Sequence, residues 1–420
     1  MSARDLQTDL LLEAAALLLE YNESTGEIQR ALQATANTIS NEPCHLVISY
    51  DGVAIALGDQ SPKLRPVREL RYNTTIQARV HEILRQVRQQ QLEPSTALAS
   101  LMSIPADAAR HPPWLVALLL GAAAFSLAAI LAADITAAAV AGVGTGLGFL
   151  VRHELGRRHF TLLLLPFMAA FIGGVLGGLA IRMSWTQTPE LVLVVPALML
   201  IPGPHLINGL LDLIDNYLPM SLARFGLAIG ILLANASGLA LGAELTLLEP
   251  LATDHAASSD GLTLISDIAL AGMVACGFAL FYNTAWRHLW PAMSGGMAGH
   301  GLRFLALKSG WPLEAATFVG GLTVGLVSGW IAWSREVPIA VIGFAGAVAM
   351  IPGVQIYRAL AGAWQMARQG QTADPATVAT MLGNGFQAIL VVSGLALGFL
   401  IGARLVLTVA GASATSAPTT

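Results

Sequence analysis

Two regimes of hydrophobic patterning follow one another along the chain. Over residues 4–21, Leu6, Leu10, Ala14, Leu17, Leu18 and Tyr21 recur at helical spacing, the signature of an amphipathic helix. Ser24-Thr25-Gly26-Glu27 has capping-box spacing and predicts a second helix to about Ala36. Residues 45–50 (HLVISY) and 53–57 (VAIAL) flank Asp51-Gly52, a hairpin signal. Residues 67–72 read as a third strand. Residues 75–92 and 95–103 are again helical, with arginines on the exposed face. Residues 1–111 thus predict a small α+β domain.

From Trp114 the apolar runs lengthen and lose their polar face. A hydrocarbon core of ~30 Å needs about 20 apolar residues in a helix. Ten segments meet that need: 114–133, 135–151, 160–181, 190–211, 221–246, 263–282, 284–307, 314–333, 337–360 and 378–405. The prediction is a membrane all-α body of ten transmembrane helices, preceded by the α+β domain. Its halves are residues 112–248 and 262–407.

The halves echo each other. Gly144-Thr-Gly-Leu-Gly-Phe-Leu150 matches Gly299-His-Gly-Leu-Arg-Phe-Leu305, and Phe171-Ile-Gly-Gly174 matches Phe318-Val-Gly-Gly321. Ile201-Pro-Gly203 matches Ile351-Pro-Gly353, and Ser237-Gly-Leu-Ala-Leu-Gly242 is identical to Ser393-Gly-Leu-Ala-Leu-Gly398. The offsets are 155, 147, 150 and 156 residues. Five segments is an odd number, so the second repeat is expected to be inverted relative to the first, a recurring transporter architecture. Pro202-Gly203-Pro204 and Pro352-Gly353 fall near the middle of segments four and nine. Proline there breaks the helix, which lipid tolerates only where protein or water surrounds the freed groups. GxxxG pairs such as Gly174–Gly178, Gly238–Gly242, Gly321–Gly325 and Gly394–Gly398 read as close helix packing.

Composition agrees with this picture. Of 420 residues, 55% are hydrophobic and 11% charged, with mean hydropathy +0.65. A soluble protein so poor in charge could not cover its surface, and disorder or a collagen-like chain is excluded as well. Two cysteines, Cys44 and Cys276, exclude a disulfide scaffold. The charge is concentrated: residues 1–110 hold 10 of the 22 Lys+Arg and 13 of the 26 Asp+Glu. Net charge −4 points to no nucleic-acid partner. MSARDLQTDL is not a signal peptide, so the α+β domain is expected in the cytoplasm. With both termini inside, the inner loops would hold Arg152, Arg157, Arg158, Arg224, Arg287, Arg335 and Arg404, and the outer loops Arg182, Arg303, Lys308, Arg358 and Arg368. The longest outer loop would be 248–262, which has no Lys or Arg.

Candidate chemistry lies in polar residues at membrane depth, which are costly and default to function. His205, Asn208 and Asp212 share one helical face after Pro202, and Asp215 continues it. With Pro202, Gly203, Pro352, Gly353, Gln355, Arg358 and Asn384, His205 and Asn208 make up the expected substrate site. His205, Asp212, Asp215, Asp134 and Asp267 are the expected proton-coupling groups, with a loop at the outer face as the other placement of Asp134. Asn283, His300 and Arg303 are placed along the pathway. Arg358 could pair with a substrate carboxylate or snorkel, and Asp212 and Asp215 could instead lie in a loop. Glu13, Glu20, Glu23 and Glu27 read as a solvated helical face. No nucleophile–base pair, metal cluster, nucleotide motif or cofactor fingerprint appears, so no cofactor, no metal and no enzyme activity are expected.

Three stretches carry a family resemblance: LLEAAALLLEYNESTGEIQRALQATA, IPGPHLINGLLDLIDN and MIPGVQIYRALAG. They resemble the threonine/serine exporter family over nearly the whole chain, in its fused single-chain form. The resemblance implies proton-driven export of small amino acids across the bacterial inner membrane. Related two-subunit systems are linked to dicarboxylate export, so succinate is the alternative substrate. A membrane-bound hydrolase or a scaffold is a weaker reading. The implied partners are the small-molecule substrate, protons and the lipid bilayer, and self-association into a homo-oligomer is left open.

Overall fold

The computed structural model of the protein describes residues 2–40, 42–108, 110–246, 262–335, 337–372 and 374–415. Helix α1 (Ala3–Glu20) starts on a reciprocal cap between Ser2 and Asp5 and buries Leu10, Leu11, Leu17 and Leu18 completely or nearly so. Helix α2 (Thr25–Ile39) has Ser24 in the capping position, but that side chain makes no cap hydrogen bond. The expected capping box is replaced by a distant acceptor, described below. Strands β1 (Cys44–Ser49), β2 (Gly52–Leu57) and β3 (Lys63–Pro66) form an antiparallel sheet in that order. Ser49 pairs with Gly52, so Tyr50 and Asp51 make the turn. The third strand lies at 63–66 rather than 67–72. Residues 67–72 leave the ladder: Val67 and Leu70 plug the domain core, and Tyr72 is carried to the helical part. Helices α3 (Thr74–Arg88) and α4 (Pro94–Asp107) complete this region.

The rest is helical: α5 (Pro113–Ile130), α6 (Ile135–Arg157), α7 (Leu164–Arg182), α8 (Pro189–Leu198), α9 (Gly203–Ile214) and α10 (Leu218–Glu244), then α11 (Leu264–Phe281), α12 (Trp286–Lys308), α13 (Leu313–Arg335), α14 (Ile339–Ala347), α15 (Gly353–Gln369) and α16 (Pro375–Thr415). Among the described residues, seven helices are long and apolar enough to cross a membrane, or nine if each bent pair, α8–α9 and α14–α15, counts as one span. Helix α12 has 23 residues but is more polar, with His288, His300, Arg303 and Lys308, and packs against α11, α13 and α14. Apolar side chains such as Leu222, Ile229, Leu233, Phe386, Ile389 and Leu390 are exposed on α10 and α16, as side chains facing lipid would be. This is a multi-pass membrane protein. The expected 248–262 loop lies outside the described residues except for Leu262.

Glycine sets the helix spacing. A Cβ on Gly174 would strike the Leu239 carbonyl oxygen, and one on Gly242 that of Phe171. In the second half, Gly321 meets the Leu395 carbonyl oxygen and Gly398 that of Phe318. The α7–α10 and α13–α16 pairs thus repeat the same contacts at the offsets seen in the sequence, and only a hydrogen side chain fits.

Arg152, Arg224, Arg303 and Arg358, assigned to loops from sequence, lie inside α6, α10, α12 and α15. Arg224 is fully buried. Counting basic residues for orientation therefore mixed loop charges with interior ones.

Candidate functional site

The two Pro-Gly breaks are the same local structure. Pro202 has φ −77°, ψ 62° and Pro352 φ −76°, ψ 59°, the geometry of an inverse γ-turn. The turn is closed by Gly203 N donating to Ile201 O at 2.8 Å and Gly353 N to Ile351 O at 2.7 Å. The chains bend by 61° and 58°. They also abut. A Cβ on Gly203 would lie 2.5 Å from Ile351 Cδ1, and one on Gly353 3.0 Å from Ile201 Cδ1. The carbonyl of Ala197, at the first break, accepts from Asn235 Nδ2 of α10 at 2.8 Å, as a break at membrane depth requires.

From this junction the two half-helices run to opposite ends of the bundle. Helix α9 runs to the N-terminal domain and α15 away from it, where Arg368 pairs with Glu244 at the end of α10. Beside α15 lies a cavity of about 410 Å³ whose wall includes Pro352, Gly353, Gln355 and Arg358 together with Asp267, His300 and Arg303. The last three form a chain. His300 Nδ1 faces Asp267 Oδ2 at 2.7 Å, Arg303 Nη1 donates to His300 Nε2 at 3.3 Å, and Arg303 Nε donates to Thr317 Oγ1 at 3.1 Å. With Nε2 accepting, the proton of the neutral ring sits on Nδ1 and points to Asp267. Asp267 and His300 are only 2% and 3% exposed. Arg358 grips Glu190 with two hydrogen bonds of 2.8 and 3.0 Å.

The stripe on α9 meets the N-terminal domain instead of the cavity. His205 is buried with its ring 5.3 Å from that of Tyr72. Asn208 Nδ2 donates to Asn22 O at 2.7 Å. Asp212 contacts Arg224 Nε at 2.9 Å, both side chains fully buried, and accepts from Thr25 N at 2.9 Å. It is therefore the distant N-cap of α2. Arg224 in turn donates to Asn22 Oδ1 and, at 2.6 Å, to Glu23 O. Asp215 is paired with Arg404 at 2.6 Å and faces Arg30 at 3.7 Å. The alternative loop placement of Asp212 is thus overturned by its burial.

Two candidates lie away from the cavity wall. Asp134 caps α6, accepting from Thr136 N and Ala137 N at 2.9 Å and from the Thr186 and Thr188 hydroxyls and the Gln187 and Thr188 amides. Burial pushes its carboxyl up, but these hydrogen bonds outweigh it and hold the group well below the usual range. Asn384 bonds its own helix at Thr380 O, 2.8 Å, and is not in the cavity wall. Asn283, expected on the pathway, instead joins Asn73 (3.1 Å) and the His111 amide (3.0 Å).

The carboxylates of the N-terminal domain are not one solvated face. Glu13, Glu20 and Glu27 pair with Arg65, Arg71 and Arg30, whereas Glu23 is 3% exposed, 3.5 Å from His81 Nε2. No group of metal-ligating residues occurs among the described residues.

Sequence reasoning missed Arg224, Glu190, Asn22 and Tyr72. Arg224 and Glu190 were legible as charges at the ends of apolar segments. Asn22 and Tyr72 carried no signal, because their partners lie 202 and 133 residues away in the chain.

No solved structure matches the chain. Residues 9–246 match a family model described as a putative threonine/serine exporter, and residues 267–404 match a second, described as Threonine/Serine exporter, ThrE. Together these matches cover the N-terminal α+β region and both helical halves in one polypeptide, and the chain belongs to the threonine/serine exporter family.

Proposed function

We propose that the protein exports threonine and serine from the bacterial cytoplasm in exchange for protons, by alternating access of two inverted five-helix halves. The observation that carries the reading is the Asp267–His300–Arg303 chain in the wall of a cavity beside two abutting broken helices. A zwitterion needs one cationic and one anionic partner. Val354 and Gln355, in the first turn of α15 where amides lack an intrahelical acceptor, line the same cavity as Arg303, which suits a carboxylate. Asp267 suits the ammonium.

Asp267 balances one positive charge at a time in so buried a place. A proton taken up by His300 lands on Nε2, ends the hydrogen bond from Arg303, and makes an imidazolium whose charge holds Asp267 and displaces the substrate ammonium. Competition for one carboxylate is the exchange that proton-driven export requires. In this reading the N-terminal domain lies in the cytoplasm and closes the inner side, and the cavity faces outward. Arg404 on α16 pairs with Asp215 beside that domain, which supports both termini lying on one side. The site comprises Pro352, Gly353, Gln355, Arg303 and Arg358, with Asp267 and His300 as the proton groups and the Pro202-Gly203 break abutting it through Ile351.

Two arginines, Arg303 and Arg358, line one cavity, and this favours a second reading, a small dicarboxylate such as succinate. The acids beside each of them, Asp267 and Glu190, weigh toward the zwitterion. The test is flux of labelled threonine, serine and succinate from loaded vesicles with and without a proton gradient. Amino-acid export that accelerates with an inward proton gradient is expected. Transport of succinate alone would sink the amino-acid reading, and a gradient-independent rate would remove the proton.

A further inference from the structure

A second, much smaller void lies toward the N-terminal domain, with a volume of about 10 Å³, near the limit for one water molecule. Its wall includes Thr145, Gly148, Phe149 and Arg152 of α6. At the 155-residue offset of the repeat these correspond to His300, Arg303, Phe304 and Leu307, all in the wall of the large cavity. His205 likewise corresponds to Gln355 at the 150-residue offset. The two voids are one place in two halves, expanded in one and collapsed in the other.

The collapsed one holds an unbalanced cation. Among the described residues no carboxylate pairs with Arg152. Its guanidinium lies over the Phe281 ring, 5.1 Å from the centroid, and acts electrostatically on the hydroxyls of Tyr72 and Tyr282. The other arginines of the bundle interior have acids nearby: Arg224 has Asp212, Arg358 has Glu190, and Arg303 reaches Asp267 through His300. Thr145 Oγ1, His205 Nδ1 and the Tyr72 hydroxyl are buried without a hydrogen-bond partner. Thr145 and His205 are 7% and 2% exposed. Three buried polar groups of one neighbourhood thus lack hydrogen-bond partners, beside a half-buried guanidinium with no carboxylate, at a cost normally removed by a ligand or a counter-ion.

We propose that Arg152, with Thr145 and His205, is a second carboxylate-binding station, used when the transporter opens toward its N-terminal domain, and that Tyr72 is its lid. The proposal rests on the alternating-access reading above. The ligand is the carboxylate of the transported amino acid, held by the fork of the guanidinium. Tyr72 comes from the soluble domain, its ring 5.3 Å from His205 and 5.4 Å from Tyr282. The segment after it is fastened by Thr74 N donating to Tyr282 O at 2.9 Å and Thr75 Oγ1 donating to Asn283 O at 2.6 Å. Withdrawal of residues 72–75 uncovers Arg152 and lets the void expand.

The test is sided. Full-length protein is reconstituted into vesicles, its orientation is read from protease access to the N-terminal domain, and exchange of labelled serine and threonine is measured with substrate on either face. Arg152→Gln is expected to raise the half-saturating concentration on the N-terminal-domain face about 10- to 100-fold, and to leave the opposite face within about twofold. Arg152→Lys keeps the charge but loses the fork, and falls between. Thr145→Val, with the charge intact, gives a smaller shift on the same face and serves if Arg152→Gln does not insert. Unchanged half-saturation on the N-terminal-domain face, or equal shifts on both faces, overturns the station. Wild-type protein that exchanges neither amino acid overturns the transport reading itself, and the station with it.

Discussion

Arg224 offers a sharp test of how the N-terminal α+β region is held. Its side chain and that of Asp212 are 0% exposed and 2.9 Å apart, and it donates to Asn22 Oδ1 and Glu23 O. Asp212 also caps α2 through Thr25 N. Arg224→Met leaves Asp212 buried without its cation, which typically costs about 3–5 kcal/mol. That cost falls on the docked state alone, because undocking returns Asp212 to water. At 1.4 kcal/mol per decade the undocked population rises at least about a hundredfold. The Thr25 amide donates into this contact, so hydrogen exchange over residues 22–28, followed by mass spectrometry, reads the change directly. Asp212→Asn with Arg224→Met removes both charges together, and exchange should return to within about tenfold of wild type, since buried pairs are often nearly neutral against apolar replacements. Exchange in Arg224→Met within about threefold of wild type, under half a decade, would refute the docking role. A double variant as fast as the single one would refute the argument that the orphaned charge is the cause.

The proton mechanism predicts that Asp267→Asn abolishes net export, and that His300→Gln keeps serine–serine exchange but loses acceleration by a pH gradient, both read by flux in vesicles. Gly242→Ala and Gly398→Ala should lower the yield of folded protein in detergent chromatography, because the added methyl meets the backbone at Phe171 and Phe318. Gly226→Ala, with nothing within 4 Å of the new atom, should be neutral or stabilising by about 0.5–1 kcal/mol. Asp134→Ala removes the α6 cap and should cost about 1–2 kcal/mol by thermal unfolding. Because the Asp134 carboxyl titrates below its ordinary 3.8 in the folded protein, its contribution is fully present above that pH and lost as pH falls toward the folded value. The gap between wild type and Asp134→Ala should therefore hold at neutral pH and narrow only in strong acid.

Local sequence was a good guide where neighbours in the chain decide structure. The apolar runs marked where the helices lie, since a side chain's burial in lipid needs no particular partner. The Pro-Gly pairs marked both breaks, because proline removes the same backbone bond wherever it stands. Glycine pairs marked both helix contacts, down to equivalent carbonyls. The third strand was misplaced because 67–72 has strand-like composition but is drawn off to bury Val67 and Leu70 and deliver Tyr72. The α2 cap was misassigned because the competing acceptor, Asp212, is 187 residues away.

By itself, then, the sequence determined the class of the protein, where most of its apolar helices lie, its two helix breaks and the echo between its halves. Those follow from hydropathy and backbone chemistry, which act locally. Only the tertiary structure decided which groups the interior charges meet. His205, Asn208 and Asp212 share a helical face in the sequence, yet that face meets the N-terminal α+β region, while Asp267, His300 and Arg303, 36 residues apart at the extremes, converge on a cavity. A charge in a low-dielectric interior is defined by whichever group stands within a few ångströms of it. For Arg224 that group is an aspartate, and for Arg152 among the described residues it is no carboxylate at all.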